Sequence, residues 1–261
     1  MAGVLFRGSR PIAMGMALAL VLGAGARVAA QRGQGAPAPQ PPATGRGRAP
    51  IDLTGYWVSI VNEDWRWRMV TPAKGDAASV PLNPEGVKVT NAWDPATDGS
   101  CLAYGAAGLM RIPTRLNITW QDDQTIKIET DAGQQTRLLR FDGSAAPGQR
   151  SLQGFSVASW EPVPQPGRGG GPVQIPKFGN LKVTTTNLTA GWLRKNGVPY
   201  SENATVTEYY DRFAAPNKDE WLVVTTIVSD PKYLNQDFVT STHFKKEPNG
   251  AKWSPSPCKA S

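Results

Sequence analysis

Apolar and polar residues alternate along most of the chain beyond Ile51, and that period of two predicts strands with one buried face. In residues 64–70, Trp65, Trp67 and Met69 share one side while Arg66 and Arg68 share the other. The alternation returns at 116–120, 125–130 and 135–141, separated by the short polar stretches 121–124 and 131–133, which suit tight reversals. Three strands so joined form a meander. Further strands are expected at 55–61, 154–160, 180–187, 204–212, 220–228 and 238–246, each rich in Val, Ile, Thr, Tyr and Trp.

Two segments depart from this pattern. Residues 84–93 predict the single short helix: Asn83 can cap it, Pro84 suits its first turn, and Val87 falls on one side with the Thr90/Trp93 pair. Residues 162–179 are too rich in Pro and Gly for any regular element and predict a loop. About ten antiparallel strands with so little helix must close on themselves or pair as two sheets, because long open edges invite aggregation. The expected fold is mostly β, with a single antiparallel β-barrel first and a β-sandwich as the alternative.

The start of the chain has a different character. Arg7 and Arg10 precede an apolar stretch at 12–24, and Val28-Ala29-Ala30 supplies small residues before Gln31, so residues 1–30 read as a secretory signal peptide. Residues 31–50 hold Gln, Gly, Ala, Pro and Arg with no aromatic residue, which predicts a disordered Pro/Gly linker. The barrel domain then occupies 51–261 and contains all nine tryptophans. No other segment is long and apolar enough to span a membrane once the signal is cleaved. The expected location is the periplasm or the exterior.

Charge and cysteines narrow the picture further. The formal net charge is +7, but three basic residues lie in the expected signal and three more, Arg32, Arg46 and Arg48, in the expected linker. What remains is nearly neutral, which argues against a nucleic-acid partner. The two cysteines, Cys101 and Cys258, are an isolated even pair and are expected to form a disulfide in an oxidising compartment. With His243 the single histidine of the chain, neither a metal site nor a cofactor is expected.

The opening Leu53-Thr54-Gly55-Tyr56-Trp57 resembles the Gly-x-Trp start of lipocalin-type barrels, in which the tryptophan plugs one end. A longer series includes Met110-Arg111-Ile112-Pro113, Trp160-Glu161, Leu193-Arg194-Lys195-Asn196-Gly197-Val198-Pro199-Tyr200-Ser201, Thr207-Glu208-Tyr209 and Asp230-Pro231. Together these resemble a family of exported bacterial proteins of uncharacterised function. That resemblance implies a secreted β-rich domain and no particular reaction. The 162–179 insertion departs from the family's tight turn and puts access to any barrel mouth in question.

Candidate chemistry centres on 194–208. Arg194 offers a fork of donors, Tyr200 and Ser201 offer hydroxyls, and Glu208 lies on a strand beyond a Gly/Pro loop. Trp65, Trp67 and Trp160 are the candidate apolar walls. The bland alternative is a turn held by Asn196-Gly197, with Arg194 and Glu208 in a structural ion pair. No Gly-x-Ser-x-Gly elbow accompanies Ser156 or Ser201, and the carboxylate pairs Glu63/Asp64 and Asp122/Asp123 suit solvated positions. The expected function is therefore binding of a small, partly apolar molecule. The alternatives are acid/base catalysis in the same cavity by Glu208 or His243, and a structural or partner-binding accessory role.

Overall fold

The computed structural model describes residues 44–96, 98, 101–162 and 179–259. The expected signal peptide, most of the expected linker and the loop interior at 163–178 lie outside the described residues. Among the described residues, nine strands close into a barrel: β1 (Gly55–Ile60), β2 (Arg115–Asp122), β3 (Thr125–Thr130), β5 (Thr136–Arg140), β6 (Phe155–Pro162), β7 (Gly179–Thr186), β10 (Thr205–Ala214), β11 (Glu220–Ser229) and β12 (Phe238–Glu247). The short strands β4 (Ala132–Gly133) and β13 (Ser256–Pro257) pair with each other, as do β8 (Gly191–Arg194) and β9 (Val198–Tyr200).

The barrel is mixed, with nine strands in place of the expected ten antiparallel ones. Directions cannot alternate all the way around a closed ring of nine, so one neighbouring pair must run the same way. That pair is β5 and β6, with Leu139 beside Ser156 and Arg140 beside Val157. Segment 141–154 is the long return that a parallel pair requires. Closure comes from β1, which pairs antiparallel with both β2 and β12 and leaves no open edge.

The period of two sets which side chains enter the barrel. Leu116 and Ile118 of β2, Ile126 and Ile128 of β3, and Leu222 and Val224 of β11 are buried while the residues between them are partly exposed. Trp57 of the Gly-x-Trp opening is fully buried in this core, its indole N–H donating to the Leu53 carbonyl at 2.9 Å. Phe244, Tyr210 and Leu139 complete the filling.

The alternation misleads at 64–70. Trp65–Arg68 form a single helical turn, α1, and no strand. The turn starts from Asp64 in the left-handed region at φ 51 and buries Arg68, while Trp65, Met69 and Val70 are exposed. A strand needs a neighbour for its ladder, and here Arg68 finds its partners inward instead, with Nε donating to the Arg111 carbonyl at 2.8 Å. Helix α2 (Pro84–Ala92) forms as expected, with Asn83 Oδ1 accepting from Gly86 N at 2.9 Å. Its buried side is Gly86, Thr90 and the following Trp93, and Val87, expected there, faces out. The Tyr233 carbonyl and Leu82 lie where a Cβ on Gly86 would sit, so the helix packs by its smallest residue.

Each end of the barrel is covered. At one end Trp120, Phe141 and Trp160 stack in sequence, and Trp160 Nε1 donates to the Gly45 carbonyl at 2.7 Å. Residues 44–50, expected to be linker, thus lie against the barrel. The other end is capped by α1, by helix α3 (Ala106–Leu109) and by the β8–β9 hairpin, over a second core that includes Leu193, Val198, Tyr200, Val228 and Phe238. A disulfide joins Cys101 to Cys258 with Cα atoms 5.4 Å apart. Beside it, Ser256 N donates to the Asp131 carbonyl where β13 runs parallel to β4.

Candidate functional site

The structure distributes the residues singled out from the sequence over four places. Glu208 lies at an inward position of β10, in phase with Val206 and Tyr210. It does not meet Arg194. Its partner is Arg137 of β5, with Nη2 2.6 Å from Oε2 and Nη1 3.0 Å from Oε1, and both side chains are fully buried. Arg137 Nη2 also donates to Thr185 Oγ1, which shares a hydrogen bond with Ser156 Oγ. Burial opposes the charge on Arg137, but Glu208 outweighs it and raises the guanidinium above its ordinary range. Burial, then Glu208, raises the Tyr210 phenol as well. This network and the apolar core lie in the barrel interior.

Tyr200 and Ser201 serve the fold. Tyr200 is fully buried in the second core, and burial raises its phenol above the ordinary range. Its hydroxyl occupies the space that a Cβ would need at Gly105 or Gly191. Ser201 donates through Oγ to Asp230 Oδ1 at 2.8 Å, and its backbone N–H donates to Oδ2 at 2.6 Å. Trp160 belongs to the stack at the opposite end from α1. No hydrogen bond joins any of these three side chains to the Arg194 guanidinium among the described residues.

Trp67 and Arg194 do come together, at the capped end. The Arg194 guanidinium carbon lies 4.7 Å from the Trp67 ring centroid, and that of Arg66 lies 4.6 Å from it. Trp67 Nε1 donates to Asp76 Oδ2, the carboxylate that also pairs with Arg66. Further ion pairs and a histidine surround this contact. Arg68 pairs with Glu63 and donates to Ser59 Oγ, and Arg111 Nη2 lies 3.0 Å from Asp64 Oδ2. His243 Nδ1 lies 3.2 Å from Glu63 Oε2.

Arg194 alone in this group lacks a hydrogen-bond or ion-pair partner among the described residues. It is 4% exposed, and none of its three guanidinium nitrogens meets a hydrogen-bond acceptor. Burial and the nearby Arg111 charge lower it to about 10. Burial and Arg111 likewise lower Arg68 to about 10, although Arg68 is fully paired. A buried charge without a partner is costly, and native proteins seldom leave one unexplained.

Arg68, Arg111, Glu63 and Asp76 were not legible as site residues, because residues 63–76 lie far in sequence from Arg111 and Arg194 and the alternation at 64–70 points to a strand. Among the described residues no group of three or more His, Cys, Asp or Glu side chains is disposed to hold a metal. A surface cleft of about 290 Å³ between α2 and β8 is lined by Val89, Trp93, Asp98, Leu102 and Trp192. Both indoles donate to Asp98, whose two oxygens are thereby engaged. No family model matches this chain, and neither the curated proteins nor the solved structures yield a match.

Proposed function

We propose that this is an exported barrel protein that binds a small, partly apolar molecule at the capped end, between α1 and the β8–β9 hairpin. The observation that carries this reading is Arg194: a buried guanidinium with three unused donors, held against the ring of Trp67. Such donors are what a polar group of a ligand requires. The exposed Trp65, Met69 and Val70 of the same turn supply apolar area for the rest of the molecule.

The site thereby moves from the barrel interior to its mouth, since Trp57, Tyr210, Phe244 and the Arg137–Glu208 pair occupy the interior. Kinship with the lipocalin-like barrels and with the exported bacterial family remains part of the proposal. The buried Trp57 suits the first, and the disulfide suits the oxidising compartment both imply.

Tryptophan fluorescence of the mature protein against a panel of amphipathic small molecules tests the proposal. A ligand that changes the emission should lose its effect in the double variant Trp65→Phe with Trp67→Phe and keep it in Trp160→Phe, at the other end. The opposite pattern, or no response from any compound, would overturn the site.

A further inference from the structure

The same cluster specifies a class of ligand, on the premise that the capped end is a binding site as proposed. Arg66, Arg68 and Arg111 each have a carboxylate: Asp76 at 3.0 Å, Glu63, and Asp64 at 3.0 Å. Arg194 is the fourth guanidinium of the cluster; Asp64 and Asp76 act on it only through space, and no ion pair or hydrogen bond reaches it among the described residues. Arg111 brings a like charge close to it and leaves its own Nη1 without a hydrogen-bond partner. Arginine keeps its proton at physiological pH, so this charge cannot be relieved by neutralisation. The cluster is one negative charge short.

We infer that Arg194, together with Nη1 of Arg111, receives an oxyanion of the ligand: a carboxylate, phosphoryl or sulfo group. The planar fork of a guanidinium matches two oxygens of such a group, and the Arg111 donor can take a third. Trp67 is the group that covers Arg194 when the oxyanion is absent. It sits on a single helical turn that begins at a left-handed Asp64 without a side-chain cap. Arg68 and Asp64 hold the turn, but the Trp67 ring can swing aside about its own side-chain torsions, giving up its hydrogen bond to Asp76 and exchanging a cation–π contact for a charge-assisted pair. The apolar part of the ligand then rests on the exposed Trp65 and Met69 side.

Calorimetric titration of the mature protein with sulfate, phosphate and benzoate, each against chloride at matched ionic strength, tests the inference and separates the sources of the oxyanion. At least one should bind at a single site. Its affinity should fall at least tenfold in Arg194→Gln and less in Arg194→Lys, which keeps the charge but not the fork. In the double variant Trp65→Phe with Trp67→Phe the heat of binding should persist while the binding-linked fluorescence change disappears; this readout does not depend on the Arg194 variants folding. No heat beyond that of chloride, unaltered affinity in Arg194→Gln, or a surviving fluorescence change in the double variant Trp65→Phe with Trp67→Phe would overturn it. A neutral ligand that binds through Trp67 and ignores Arg194→Gln would remove the oxyanion and leave the binding site intact. Silence from every anion and every amphipathic compound would remove both.

Discussion

Glu208 and Arg137 illustrate how one charge in an apolar barrel dictates another. Two desolvated ions are tolerated because they share two short contacts and Arg137 donates further hydrogen bonds to the Thr185 and Tyr210 hydroxyls. Breaking one side leaves the other uncompensated. Glu208→Gln should therefore destabilise the fold by roughly 3–5 kcal/mol, read by urea unfolding, while the double change Arg137→Met with Glu208→Leu should cost much less. Both positions were legible in phase: Arg137 alternates with the inward Leu139, and Glu208 with the inward Val206 and Tyr210. Their pairing was not, because β5 and β10 are distant in sequence and not adjacent around the barrel.

Asp76 supplies a pH dependence at the same scale. Burial raises its carboxyl, but hydrogen bonds from Trp67, the Ala78 backbone and Arg66 outweigh this and hold it below the ordinary 3.8. A depressed carboxylate contributes stability that is complete above its unfolded value and is lost as pH falls through the lower folded value. Tryptophan emission should thus hold steady down to about pH 4 and change below it, and Asp76→Asn should abolish that step. A step centred at higher pH would contradict the assignment.

At the scale of elements, the barrel strands were legible and α1 was not, for one physical reason. Alternation in 64–70 is compatible with a strand only if a neighbouring ladder exists, and β1 already has β2 and β12 on its two edges. Local pattern carries no information on that occupancy. Helix α2 was legible through its cap, and Asn83→Ala should cost about 1 kcal/mol in thermal or urea unfolding. The turn joining β8 to β9 has a sterner requirement. Gly197 is at φ +76, and a Cβ there would lie 2.1 Å from the Trp93 ring. Gly197→Ala should therefore destabilise by more than about 1 kcal/mol and weaken ligand binding at Arg194, the residue that ends β8.

Over the whole molecule, the chain closes a ring of nine strands and then fastens its C-terminal segment back to the middle. The disulfide spans 157 positions, so in the chain-entropy model its loss costs at most about 5 kcal/mol. Reductant, or Cys101→Ser with Cys258→Ser, should lower the urea midpoint and steepen the transition, because the unlinked denatured state is less compact. The pairing was legible from the count of cysteines, and barrel closure from the need to hide edges. The strand number and the parallel β5–β6 pair were not, since they depend on where segment 141–154 returns. The capped-end cluster was also hidden, because Glu63, Arg68, Asp76, Arg111 and Arg194 meet only after closure.

The oxyanion site at Arg194 is tested most directly by anomalous diffraction from crystals of the mature protein soaked in selenate, a sulfate analogue visible at its absorption edge. A selenium peak should lie within hydrogen-bond reach of the Arg194 guanidinium, with the Trp67 ring displaced from it. Selenium bound only elsewhere, with Trp67 still seated on Arg194, would contradict the site.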